Sequence, residues 1–237
     1  MGQRLALACL LLGYCVSSQA TPLEFDASYT ASTMGLSASA RRSATQSSDN
    51  TYLIQNSLQL SVFGFDVGSV REVSEFTLNE NQVKSSHYSY EQTGPGSTNE
   101  KIEFDWSLMM ADSRIEDEAF TIALQPQVLD KLNFSVQLGI DLAANEQTEF
   151  SYQVLDGDQV EEHLYRISAY EKVATPLGDI DTVKLIRVRA SDSKRQTSIW
   201  MAINWGYLLV KLEQVSGSGN VTKVLLEAAE IDGVALP

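Results

Sequence analysis

The strongest constraint on the fold is an alternation of apolar and polar residues that runs through most of the chain. At a period of two, the apolar side chains of a segment share one face, as in a half-buried strand. Leu23, Phe25, Ala27 and Tyr29 form one such set. Tyr52, Ile54, Leu58, Leu60 and Val62 form another, interrupted by Asn56. Ile102, Phe104 and Trp106 follow, then Phe150, Tyr152 and Val154. Segments 164–170, 180–188, 197–203, 207–215 and 221–231 keep the rhythm.

The breaks carry turn chemistry, in which Gly supplies positive φ and Pro presets a corner. Thr93-Gly94-Pro95-Gly96, Asp156-Gly157-Asp158, Thr175-Pro176-Leu177-Gly178 and Ser216-Gly217-Ser218-Gly219 are such breaks. The Ser-rich stretch 37–50 reads as a loose hairpin or loop.

One segment departs from alternation. From Pro126 to about Ala143, Val128, Leu132, Val136 and Ile140 recur every four residues, with Leu129 beside them. That is a helical stripe, and Pro126 suits a first helical turn. Gly139 weakens the last turn. Alternation also fits 134–142, which allows a shorter helix. The expected fold is mainly β, a curled antiparallel sheet or open barrel with one helix packed on or over it. About a dozen strands in one sheet must curl or close to manage their edges. No linker or internal repeat interrupts residues 21–237, which are expected to form a single domain.

Residues 1–20 read as a secretory leader. Arg4 is a short positive region, residues 5–16 are an apolar run, and Ser18-Gln19-Ala20 offers small residues at a cleavage site. The run is short of the ~20 apolar residues that span a bilayer. Cleavage after Ala20 would place the protein in the periplasm. Cys15 fits a lipidation site poorly, because the bulky Tyr14 precedes it. Cys9 and Cys15 leave with the leader, so the mature chain has no disulfide to form. No later segment is apolar for long enough to form a membrane-spanning helix.

Lys and Arg number 17 against 31 Asp and Glu, a net charge of -14. Such acidity argues against nucleic acid, which needs a clustered cationic surface. It also disfavours anionic membrane surfaces.

Catalytic signatures are weak. His87 and His163 lie far apart and match no metal-ligand spacing. Ser191-Asp192-Ser193-Lys194 matches Ser-x-x-Lys, but it sits in a polar turn between strands rather than at a helix start. Glu116-Asp117-Glu118 lacks the alternating oxygen ligands of a calcium loop and reads as a solvated turn. No nucleophile elbow, phosphate loop or dinucleotide fingerprint is present, and no cofactor is expected. Asn133-Phe134-Ser135 and Asn220-Val221-Thr222 are glycosylation sequons only in a host that uses them.

Aromatic residues are the remaining candidates. Trp106, Trp200, Trp205, Tyr165, Tyr170 and Tyr207 lie on strand faces or near strand ends. On a concave sheet such rings line an apolar cavity; on a filled one they are core. Asn204-Trp205-Gly206 reads as a turn, which would expose Trp205 unless it caps a pocket.

The C-terminal half carries a family pattern. Residues 170–184 read Tyr-Glu-Lys-Val-Ala-Thr-Pro-Leu-Gly-Asp-Ile-Asp-Thr-Val-Lys. Arg195-Gln196-Thr197-Ser198-Ile199-Trp200-Met201-Ala202 and Tyr207-Leu208-Leu209-Val210-Lys211-Leu212 follow. Upstream, Phe104-Asp105-Trp106 and Leu129-Asp130-Lys131-Leu132 fit the same series. Together these resemble a bacterial family of exported β-rich proteins catalogued as a domain of unknown function, over residues 25–226. Asn204 departs from an Asp common in that family, and Leu209 from a Pro.

The resemblance implies fold and location but no activity. The leading expectation is a non-enzymatic periplasmic protein that binds an apolar or envelope-derived ligand in the sheet's concavity. The alternatives are an envelope interaction or scaffolding module, whose acidic surface meets a basic partner, and a wall or polysaccharide hydrolase with converging carboxylates.

Overall fold

The computed structural model describes residues 24–48, 50–62, 65–94, 96–144 and 147–237. The proposed leader and its cleavage site lie outside them. The described residues run through β1 (Phe25–Thr33), β2 (Leu36–Ser48), β3 (Thr51–Val62), β4 (Phe65–Asn79) and β5 (Gln82–Thr93). Then come β6 (Thr98–Asp105), β7 (Met110–Ile115), β8 (Glu118–Ala123) and β9 (Leu129–Asp130). The helix α1 (Phe134–Ala144) precedes β10 (Glu149–Asp156), β11 (Gln159–Thr175), β12 (Gly178–Val188) and β13 (Gln196–Ala202). β14 (Leu209–Val215), β15 (Val221–Ile231) and the short β16 (Val234–Ala235) complete the chain.

Sequence neighbours pair antiparallel from β1 to β8 and from β10 to β16. Two further links make these runs one sheet. β1 pairs with β15, joining the beginning and end of the described chain, and β9 pairs parallel to β10. The path has β8 at one edge and β9 at the other, with β16 appended to β15. The fold is therefore the expected one, mainly β in a large curled sheet that no continuous ladder closes.

Side chains join the sheet where the ladder does not. The β9 segment crosses to β4 and β5 through Ser74, Ser85, Asp130 and Asn133, all fully buried. Lys131 bridges Glu100 of β6 and Asp156 of β10. The β10–β11 turn reaches β6 as well, the Gly157 amide donating to Glu100 Oε1 at 3.0 Å. Gly157 has φ 65, and a Cβ there would stand 3.0 Å from Ile115 Cδ1, so the turn favours glycine.

Two expectations need correction. The stretch 37–50, expected as a loose hairpin or loop, is mostly the regular strand β2, paired as a hairpin with β1 before it and β3 after it. Ala40, Arg42 and Ala44 alternate with Arg41 and Ser43, and the small side chains concealed the inward face. The helix begins at Phe134 rather than Pro126. The Asp130 carboxylate accepts from the amides of Leu132 and Asn133, and the Asp130 amide donates to Asn133 Oδ1. Those side chains compete with helical bonding and hold 129–130 extended against β10. The helix starts only after them, with Asn133 O accepting from Val136 and Gln137.

The main core gathers Ile54, Phe76, Tyr88, Ile102, Leu138 and Leu185, among others, from both halves of the sheet and from α1. A smaller core joins the outer ends of β11 and β12 (Val173, Ile180) and residues of β13 and β14 (Trp200, Val210) to β1 and β15 (Tyr29, Leu226).

Candidate functional site

The curled sheet and α1 leave between them a cavity of about 490 Å³. Small-molecule sites run to ~300–1,000 Å³. One wall comes from alternate positions of β2, β3 and β4: Ala44, Tyr52, Ile54 and Phe76. The facing wall comes from β13 and β14: Ile199, Met201, Leu209 and Leu212. Helix α1 lies over both with Val136, Gly139, Ile140 and Ala143, one stripe at helical spacing. Its other face, with Leu138 and Leu142, is buried. The period-two rhythm and the helical stripe thus converge on one apolar space.

Gly139 is the weak point of that helix. A Cβ there would stand 3.7 Å from Tyr207 Cβ and 3.9 Å from Gly206 O, both ordinary contacts. Gly139→Ala is therefore expected to stabilise the chain by roughly 0.5–1 kcal/mol. Urea unfolding checks this, and a lower midpoint for the variant would show that α1 cannot approach the 206–207 turn so closely.

The polar residues of the lining are few. Arg42, Asn56, Lys131, Ser135 and Thr197 reach the cavity. Lys131 is ion-paired with Glu100 and Asp156 and lies 5.3 Å from the centre of the Tyr88 ring. Burial pulls its pKa down, but the bonds to Glu100 and Asp156 outweigh burial and leave it above the usual lysine value. Arg42 is held differently. Its Nη1 donates to Asn56 Oδ1 at 3.0 Å and its Nη2 to Ser135 Oγ at 2.5 Å. Asn56 passes the contact on to Glu72, which also accepts from the Tyr88 hydroxyl. Burial lowers the Arg42 pKa.

Below the cavity, Asp130 is wholly buried, and burial pushes its carboxyl up to about 7 against the pull of its hydrogen bonds. His163 is buried too, with neither ring nitrogen hydrogen-bonded, and Phe134 meets its ring edge-on at 5.7 Å between centroids. Burial, then the Arg187 charge, lowers its pKa to about 4, so it is neutral at physiological pH. The other histidine, His87, is on β5 beside Glu103, at 2.7 Å. Among the described residues, no hydrogen bond joins either histidine to a serine, threonine or cysteine. Among the described residues, no three His, Cys, Asp or Glu side chains cluster as a metal site.

The six aromatic candidates separate. Tyr165 and Tyr207 line the cavity; Tyr165 stacks on Phe134, and the Tyr207 hydroxyl donates to Leu142 O. Trp106 packs against the main core away from the cavity, stacked on Phe104, its indole N–H donating to Ser85 O. Trp200 lies in the smaller core between Lys184 and Lys211, and donates to Glu171. Trp205 sits in the expected turn but is half-buried against that same core. Tyr170 is 70% exposed, facing solvent on β11. Arg42 carries no motif, and Asp130 and Asn133 stand out in the sequence only through the Leu-Asp-Lys-Leu run at 129–132 and the sequon at 133–135.

No helix among the described residues is long and apolar enough to cross a membrane. No curated protein matches the chain in sequence. Among solved structures, the fold is similar to a β-barrel-like protein of domain of unknown function DUF1849 from Brucella abortus. That likeness has a TM-score of 0.57 at 8% identity and covers 88% of this chain and 98% of that one. A second likeness, to a candidate lipoprotein from Parabacteroides distasonis, has a TM-score of 0.33 at 12% identity. It covers 87% of this chain and 95% of the other, and is too loose to bear on the fold. The sequence profile of a family described as protein of unknown function, DUF3108, matches residues 24–226, and the chain belongs to that family.

Proposed function

We propose that the chain is a non-enzymatic binding protein of the periplasm that holds an apolar, envelope-derived ligand inside its curled sheet. The observation that carries this reading is the apolar cavity of about 490 Å³ beneath α1. A fully packed interior would have left a ligand no room, since protein cores close around voids larger than a water. Here aliphatic and aromatic side chains line the space, and a few polar groups stand at defined points, as in small-molecule sites. Tyr165 and Tyr207 are the aromatic contacts such a ligand meets. The absence of a catalytic motif in the sequence and the leader-like residues 1–20 support a carrier in the envelope.

Incubation of the mature protein with a total bacterial lipid extract, then repurification and native mass spectrometry, tests the proposal. The expected result is an adduct of discrete mass that organic solvent removes. Val136→Trp, which fills part of the cavity from α1, should lose the adduct while melting normally. Wild type without an adduct, or an adduct that Val136→Trp retains at full occupancy, would overturn the reading.

A further inference from the structure

Arg42 is a cation in a mainly apolar site, and the two groups that hold it do not neutralise it. A guanidinium has five N–H donors and stays protonated in proteins. Two are placed, on the Asn56 amide oxygen and the Ser135 hydroxyl, and both acceptors are neutral. Among the described residues, no carboxylate lies within ion-pair distance of Arg42. Glu72 makes no contact with it: Asn56 stands between, its Nδ2 donating to Glu72 Oε2 at 2.9 Å, and the Glu72 charge acts on the guanidinium only from beyond ion-pair distance. Lys131, the other cation of the lining, is already neutralised by Glu100 and Asp156.

A charge half-withdrawn from water with no counter-ion in contact gains from a ligand that completes it. The guanidinium is also fixed, because Ser135 from α1 and Asn56 from β3 hold its two ends. It faces a cavity whose walls include Ile54, Phe76, Ile199 and Leu209. A ligand that satisfies both features carries an anionic head and an aliphatic body.

On the reading of the cavity as a ligand site, we propose that Arg42 is the anchor for an acidic head group, so that the ligand is an amphiphile with one hydrocarbon chain. A carboxylate or a phosphate meets the free edge of the guanidinium, and the chain lies between β2–β4 and β13–β14 under α1. Fatty acids and single-chain phospholipids share this chemistry.

The test measures binding of hexadecanoic acid, hexadecyl phosphate and hexadecanol to the delipidated mature protein, by displacement of a fluorescent apolar probe. Wild type is expected to bind one or both acidic ligands about tenfold or more tighter than the alcohol, the scale of a charge-assisted hydrogen bond. The ratio between the two acids identifies the head group. Arg42→Met should remove the preference for the acids over the alcohol. The wild-type comparison needs no variant, so a poorly folding Arg42→Met would not spoil the test. Equal binding of acid and alcohol by wild type would overturn the anchor and leave the cavity reading standing. So would a preference for the acids that survives Arg42→Met. Binding of none of the three by wild type would overturn both.

Discussion

Asp130→Ala should lower the stability of the chain by about 3–5 kcal/mol, because it leaves buried donors without an acceptor. The Asp130 carboxylate accepts four hydrogen bonds. They come from the amides of Leu132 and Asn133 at 2.9 and 2.8 Å, the Ser74 hydroxyl at 2.7 Å, and Asn133 Nδ2 at 2.6 Å. Asn133 Nδ2 also reaches Ser85 Oγ. The group joins β9 to β4 and β5, where no ladder does so. Losing it loosens the closure of the sheet as well as the turn before α1.

The same carboxyl gives a pH dependence whose sign follows from its pKa. In the unfolded chain it ionises near 3.8, whereas burial holds the folded group up to about 7. The folded state therefore binds the proton more tightly. The stability this contributes is fully present below pH 4 and is lost as pH rises through 7, by a few kcal/mol at about 1.4 kcal/mol per pH unit. When the carboxyl is neutral, the Ser74 hydroxyl can turn to accept its proton. Urea midpoints at pH 5 and pH 8 check both statements. Wild type should lose more stability over that range than Asp130→Asn, which cannot titrate. An equal loss in the two proteins would refute the pH assignment, and an Asp130→Ala cost below about 1 kcal/mol would refute the role of the cluster.

Phe76→Ala should cost about 3–5 kcal/mol, the range for a buried aromatic replaced by alanine. Phe76 is 1% exposed and stacks on Tyr52 with ring centroids 5.7 Å apart. It also forms part of the cavity wall, so the deletion enlarges a space that already exists. On that side Phe76 faces the cavity rather than another packed side chain, so its surroundings have little with which to fill the space. A ligand that binds only the folded state restores stability in proportion to its occupancy. An apolar filler such as hexadecanol should therefore raise the melting temperature of Phe76→Ala more than that of wild type. Thermal melts with and without the alcohol measure this. A cost below about 1 kcal/mol would show that the wall is not packed around Phe76.

Much of the fold was legible because strands and turns are local. Asp156-Gly157-Asp158 and Thr175-Pro176-Leu177-Gly178 became hairpin turns because Gly and Pro act through their own φ. Of the stripe Val128, Leu132, Val136 and Ile140, the last two fall on the helix, where 3.6-residue spacing aligns them on one face. Residues 36–48 were harder, since Ala and Ser differ too little in hydrophobicity to show which face turns inward. The start of α1 is hidden from the sequence for another reason. The apolar spacing extends back to Val128, but Asp130 and Asn133 divert the chain through contacts with Ser74 and Ser85, which are distant in sequence.

The candidate site was less legible. Arg42 is one of 17 basic residues in the chain, and a basic residue on a strand is ordinarily taken for a solvated one. The aromatic residues were visible, but only Tyr165 and Tyr207 of the six reach the cavity. Alternation by itself determined that this chain makes strands with two unlike faces, where they turn, and that one amphipathic helix interrupts them. Only the tertiary structure decided which face is concave, where β9 meets β4 and β5, and that Arg42 points into an apolar space. The reason is physical: a period of two sorts side chains into two sets but does not say which set the curl of the sheet will enclose.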